Sequence, residues 1–197
     1  RSVLYTTMAL VEGRTLKDWM GDHPSPDLQS VQDIVTGIGK GLLAMHRRQI
    51  VHQDLRPENV LLDAEGHVTL IDFGAARVAG VEEGRAVAMA EAPVGTLQYA
   101  APEAFLGEVG RERSDLFSLG VLTYEMLTGR LPYGLDVTRT QTRREQWRLV
   151  YRPAGSDGRP VPDWIDGALK TATAINPEKR HGDIGEFLHD LTHPNPA

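Results

Sequence analysis

The 197-residue sequence predicts a mainly α-helical fold carrying small β-hairpins. Three observations lead there. Leu28, Val31, Val35, Ile38, Leu42 and Met45 recur at three- and four-residue steps, the apolar stripe of one long helix. "DLFSLGVLTYEMLTG" (115–129) is apolar nearly all round, as a buried helix is, and Gly129 fits its C-terminal cap. "VLL" (60–62) and "VTLI" (68–71) are short β-type runs on either side of "DAEGH", the spacing of a hairpin.

The remaining elements follow in chain order. "SVLYTTMALVEG" (2–13) is apolar and β-branched until Glu12-Gly13, a strand leaving a core. "TLKDWM" begins a short helix, with Thr15 and Asp18 spaced like a capping box. "GDHPSPD" (21–27) is a loop. Gly37, Gly39 and Gly41 lower the helix propensity of the long stripe and point to close helix packing. From Gly74 to Ala92 the chain is rich in Ala, Gly and Glu without a period, a long loop of the functional or mobile kind. "GLDVTRTQTRREQWRLV" (134–150) is amphipathic at best, "GSDGRP" (155–160) a surface turn, and "DWIDGALKTATAI" (163–175) and "DIGEFLHDL" (183–191) two further helices.

At 41% hydrophobic and 24% charged, the composition is that of a globular domain of ordinary core size. A net charge of -6 argues against nonspecific binding to nucleic acid or an anionic membrane. No apolar run reaches the ~20 residues of a spanning helix, so no membrane contact is expected of this segment. The absence of cysteine removes disulfides and thiolate metal sites and suits a reducing, cytoplasmic setting. The chain opens at Arg1 rather than Met, as a piece of a longer protein would.

The chemistry concentrates in "HQDLRPENVLLD" (52–63). Asp54 stands five residues before Asn59, and the hairpin that follows runs into "DFG" at 72–74. That order puts Asp54, Asn59 and Asp72 at one end of two neighbouring strands. Oxygen donors of this kind suit Mg²⁺, which usually shares its shell with substrate phosphates. Arg56 adds a fixed positive charge. Two metal ligands, a cation and a spare carboxylate describe a phosphoryl-transfer centre, where catalysis is mostly positioning and charge neutralisation.

Here a family resemblance becomes specific. "HQDLRPENVLLD" resembles the catalytic loop of protein kinases, "DFG" their metal-binding motif and "APE" (101–103) the end of their activation segment. "SDLFSLG" is similar to the start of the family's buried central helix, and "NPEKR" (176–180) to the stretch before its last helix. Five motifs in order leave little room for an unrelated helical domain. Small-molecule kinases of related fold usually lack "APE". The resemblance implies ATP and Mg²⁺ as cofactors and a protein substrate. It implies that Asp54 accepts the proton of the substrate hydroxyl, that Asn59 and Asp72 hold Mg²⁺, and that Arg56 replaces the usual lysine near the transferred phosphate. Glu103 and Arg180 would form a buried ion pair, Asp115 would anchor the catalytic-loop backbone, and His52 and Phe73 would stack in the core. Pro57-Glu58 and Thr96, the latter contacting the catalytic loop, point to Ser/Thr specificity. The other histidines read as ordinary surface or core residues.

Two departures from the family pattern matter. Gln53 stands where regulated kinases carry Arg, and a neutral amide cannot receive an activation-loop phosphate. Between Gly74 and Gly95 there is no Ser, Thr or Tyr to carry one. The chain also contains no glycine-rich phosphate loop and no "VAIK"-like strand. By resemblance, residues 1–13 are the last small-lobe strand and hinge, and 14–197 the helical large lobe, with the small lobe absent. Met8 would lie behind the adenine, Ala9 to Val11 would offer it backbone groups, and Leu61, Met8 and Phe73 would form an apolar floor. The missing small lobe, or a partner, would cover that face. The fragment alone is then expected to be inactive, and the alternative reading is a pseudokinase-like scaffold that binds without phosphotransfer. "GTLQYAAPE", "SDLFSLGVLTYEMLTGRLPYG" and the closing "HPNP" are similar to bacterial chains that fuse a metal-dependent phosphatase to such a kinase and end in a membrane segment, which would tether the parent protein.

Overall fold

Helices form most of the structure, a computed structural model that describes residues 10–78, 97–157 and 160–194. The strand expected over 2–13 lies mostly outside the described residues. A two-residue strand β1 (Arg14–Thr15) runs into helix α1 (Leu16–Asp22), whose N-cap Thr15 accepts a hydrogen bond from the Asp18 amide at 3.1 Å. Helix α2 (Leu28–His46) starts at Asp27, whose carboxylate accepts from the Ser30 amide. Its stripe of Val31, Ile34, Val35, Ile38 and Leu42 is buried, each side chain worth about 1.5–3 kcal/mol of transfer free energy.

After β2 (Ile50–Val51) and a single 3₁₀ turn (Pro57–Asn59), β3 (Val60–Leu62) and β4 (Val68–Leu70) form the expected hairpin, with Val60 opposite Leu70. β1 adds to it antiparallel, with Thr15 opposite Leu61, so the sheet has three strands in the order β1-β3-β4. A fifth strand, β5 (Arg77–Val78), pairs with β2. These last two pairings are not hairpins. They join segments more than twenty residues apart and are too short to show a period of their own.

Helix α3 (Glu112–Thr128) runs through the centre and is buried from Ser114 to Tyr124 without a break. The burial is tolerable because its hydroxyls are satisfied locally: Ser118, Thr123 and Thr128 each donate to the carbonyl four residues back. Gly129 ends it with φ +69°, the left-handed cap that glycine adopts without steric cost. The amphipathic stretch 134–150 resolves into a 3₁₀ turn (Asp136–Arg139) and the short helix α4 (Arg143–Gln146). Helices α5 (Asp163–Ala172) and α6 (Ile184–Thr192) follow, each within three residues of its expected end.

Helix α2 packs on α3, α6 and β4, and α5 packs on α3 and α6. The three α2 glycines divide between two neighbours. A Cβ at Gly39 would sit 2.8 Å from Leu188 of α6, which is helix packing as expected. At Gly37 and Gly41 it would instead meet Val68 at 2.6 Å and Leu70 at 3.0 Å, both on the hairpin. Most of the triplet therefore seats the hairpin that follows the 52–59 loop.

Candidate active site

The loop from His52 to Asn59 hangs between β2 and β3. Its anchor comes from α3: fully buried Asp115 accepts from the amides of His52 and Gln53, each at 2.8 Å, and meets Nε2 of His46 at 2.8 Å. Capture of two successive amides by one carboxylate holds Gln53 at φ +65°, a conformation that costs a non-glycine residue of order 1–3 kcal/mol and persists only where surroundings enforce it. Asp72 has the same strained backbone, φ +61°. The Asp54 amide donates to Nδ1 of His52 at 3.3 Å.

Asn59, nearly buried after the 3₁₀ turn, donates its carboxamide nitrogen to Asp54 twice: to the backbone carbonyl at 2.8 Å and to Oδ2 at 2.9 Å. Its backbone carbonyl accepts from Ile71 at 3.0 Å, which brings the start of "DFG" alongside. Asp72 is exposed, and its Oδ1 accepts from the Gly74 amide at 3.1 Å. Partial burial pushes the Asp54 carboxyl above its ordinary range. The Asn59 hydrogen bond and the Arg56 and His52 charges oppose that rise, and the negative charge of Asp72 adds to it.

Arg56 sits beside this group but bonds elsewhere. Its Nε donates to Oε2 of Glu58 at 2.8 Å, while Lys17 of α1 donates to Oε1 at 2.8 Å. The hydrogen bond from Arg56, then that from Lys17, hold Glu58 at about 2 against a rise from burial. The Arg56 side chain is 18% exposed and its guanidinium is raised above its ordinary value, chiefly by the same Glu58 bond. Nothing in the sequence motifs signalled the Lys17 contact, which spans 41 residues, or the role of His46.

Leu61 lies half-buried on β3, on the face opposite core residues Val60 and Leu62, and Val11 is half-buried just ahead of β1. Ala9, Met8 and Thr96 lie outside the described residues. One expectation needs correcting: Phe73 does not stack in the core. Its ring meets His52 edge-on, centroids 5.7 Å apart, but is 54% exposed because nothing among the described residues covers its other face. Gln53 turns its side chain toward Gly110, where a Cβ would approach Oε1 to 2.9 Å.

Below the loop, Glu103 and Arg180 form the expected buried pair. Nη1 and Nη2 of the guanidinium each reach the carboxylate at 2.8 Å, and Ser114 donates to it at 2.7 Å. Arg180 also donates to the carbonyls of Ala174 and Arg113 at 2.8 Å and lies 4.8 Å over the Phe117 ring. The pair clamps a 3₁₀ segment (Pro102–Leu106) onto α3, an element the sequence reading did not contain.

A carboxylate and a carboxamide thus meet at one end of the hairpin over a buried helix, with a second carboxylate following alongside. Comparison with known proteins gives the family. The profile described as "Protein kinase domain" matches residues 1–196. A probable serine/threonine-protein kinase PknB of Bifidobacterium longum is 31% identical over 187 residues, covering 95% of this chain and 27% of that protein. Serine/threonine-protein kinase PknB of Mycobacterium leprae is 32% identical over 192 residues (95% and 30%), and serine/threonine-protein kinase PrkC of Bacillus subtilis 30% over 195 (96% and 28%). The chain belongs to the protein kinase domain family, and these relatives are named as serine/threonine kinases of bacteria. It spans less than a third of the length of these three relatives. No helix among the described residues is long and apolar enough to cross a membrane.

Proposed function

We propose that this chain is the large lobe of a serine/threonine protein kinase and that its catalytic loop transfers the γ-phosphate of ATP to a protein hydroxyl. The observation that carries the reading is the double hydrogen bond from Asn59 to the backbone and carboxylate of Asp54, with Asp72 drawn alongside through the Ile71 amide. Asp54 is the base. Its carboxylate is fixed on one oxygen by Asn59, which leaves the other for the proton of the incoming hydroxyl. Positioning of this kind, rather than strong basicity, is what phosphoryl transfer demands.

The residues present fit Mg²⁺. The bonds of Asn59 to Asp54 use its nitrogen, which turns the hard carbonyl oxygen away from Asp54, and the exposed Asp72 carboxylate retains free lone pairs. Bound there, the metal would neutralise charge on the phosphoryl oxygens. Arg56, held by Glu58, supports the negative charge of the site from the side. The outward face of Leu61 offers an apolar floor to a flat base, and Val11, with Ala9, backbone contacts to its edge. Residues 1–13 are then the strand and hinge entering a small lobe or partner that covers this face. Pro57-Glu58, Thr96 and the relatives' names favour Ser/Thr acceptors.

The test is acceptor identity. The full-length protein, incubated with labelled Mg-ATP and a generic basic protein, should yield phosphoserine or phosphothreonine. Phosphotyrosine alone, or no label, would overturn the assignment.

A further inference from the structure

The segment 139–152 carries Arg139, Arg143, Arg144, Arg148 and Arg152 against the single acid Glu145, within a chain of net charge -6. Glu145 is occupied: its Oε2 accepts from the amides of Gln141 and Thr142 at the start of α4. Arg143 is taken by Glu108. Arg144 and Arg148 are exposed and form no ion pair among the described residues. Between them Trp147 is 72% exposed and, three residues on, Val150 is 77% exposed, while Leu149 turns inward to the core. An exposed Trp flanked by exposed arginines has the composition of the energetic centre of a protein interface.

The patch is tied to the site by a buried bond. Gln146, fully buried next to Trp147, donates to the Pro102 carbonyl at 2.6 Å, within "APE". We infer that Trp147, Val150, Arg144 and Arg148 form a docking surface for an acidic protein segment bearing an apolar side chain. The carboxylates meet the two guanidinium forks, which accept such groups bidentately, and the apolar residue packs on the indole. Charge complementarity selects this occupant. A lipid surface would be held only by two apolar side chains and two cations, each cation worth ~1 kcal/mol near an anionic membrane. The inference requires no phosphotransfer, and binding alone tests it.

The probe is a fluorescein-labelled 15-residue peptide of Asp, Glu and Leu, titrated into the purified 197-residue chain by anisotropy, with a Lys-for-acid peptide and phosphatidylserine vesicles in parallel. Trp19 and Trp164 are half-buried, so the exposed Trp147 reports the site through its emission. The acidic peptide should bind, shift that emission to the blue and weaken with salt. Arg144→Glu with Arg148→Glu should weaken binding at least tenfold, and Trp147→Ala at least fivefold, with circular dichroism unchanged. Undiminished binding by these variants, binding of vesicles but not peptide, or self-association lost in the same variants without peptide binding would each overturn the inference.

Discussion

Glu103→Gln should be the most damaging conservative change in the lower part of the molecule. The substitution preserves shape and an acceptor for Ser114 but leaves the Arg180 guanidinium, whose side chain is 0% exposed, without a counter-charge. Burial would by itself raise the Glu103 carboxyl, and the bonds and charge of Arg180 overcome that and hold it below the ordinary value. Its contribution is therefore complete above the ordinary carboxylate range and is lost as pH falls through the depressed folded value. Breaking a buried pair by removing one partner costs about 3–5 kcal/mol. In a domain of this size each kcal/mol moves the midpoint by roughly 2–4 °C, so a fall of about 6–20 °C is expected at pH 7. The assay is thermal and urea unfolding of the 197-residue chain by circular dichroism. Glu103→Leu with Arg180→Met, which removes both charges, should recover most of the loss. A Glu103→Gln shift below about 2 °C, or a double variant no better than the single, would refute the claim that an uncompensated charge is the cause.

Three further outcomes follow from the site. Because burial raises the Asp54 carboxyl and the Arg56 charge opposes that rise, activity of the full-length protein should fall on an acidic limb, and Arg56→Gln should move the limb to higher pH; a limb that stays or moves down refutes the coupling. Phosphatase treatment of the full-length protein should leave its activity intact, since the stretch from Ala75 to Val94 has no hydroxyl and Gln53 turns its neutral amide toward Gly110; silencing, with Thr96 as the phosphosite, would contradict this. The 197-residue chain alone should give no transfer with Mg-ATP, because it contains neither a glycine-rich loop nor a strand lysine to position the phosphates; robust transfer would refute the division of labour.

The long-range order of this fold was legible where a pattern repeats. The α2 stripe and the apolar α3 each span more than four turns, so their periods identify them, and the β3–β4 turn is spelled locally by "DAEGH". β1 and β5 were not legible because a two-residue strand exists only through its partner. The 3₁₀ segment 102–106 was missed although Pro102 opens it and left-handed Gly107 closes it, because five residues are too few to show a period. The same divide runs through the site. Asp54, Asn59 and Asp72 are close in sequence and share a motif, so their grouping could be read. The Lys17–Glu58 and His46–Asp115 contacts join residues distant in sequence and made neighbours only by packing, and Phe73 was expected inside because composition does not reveal what covers a side chain.

The central claim is that Asp54 directs the hydroxyl that attacks the phosphate. Single-turnover transfer by the full-length protein, saturated with Mg-ATP and acceptor, measures it with binding and product release set aside. Asp54→Asn, which preserves the Asn59 geometry while removing the proton acceptor, should slow the transfer step by about 10²–10⁴-fold without weakening nucleotide binding. A transfer rate within about threefold of the unsubstituted protein would contradict the role of Asp54 as base.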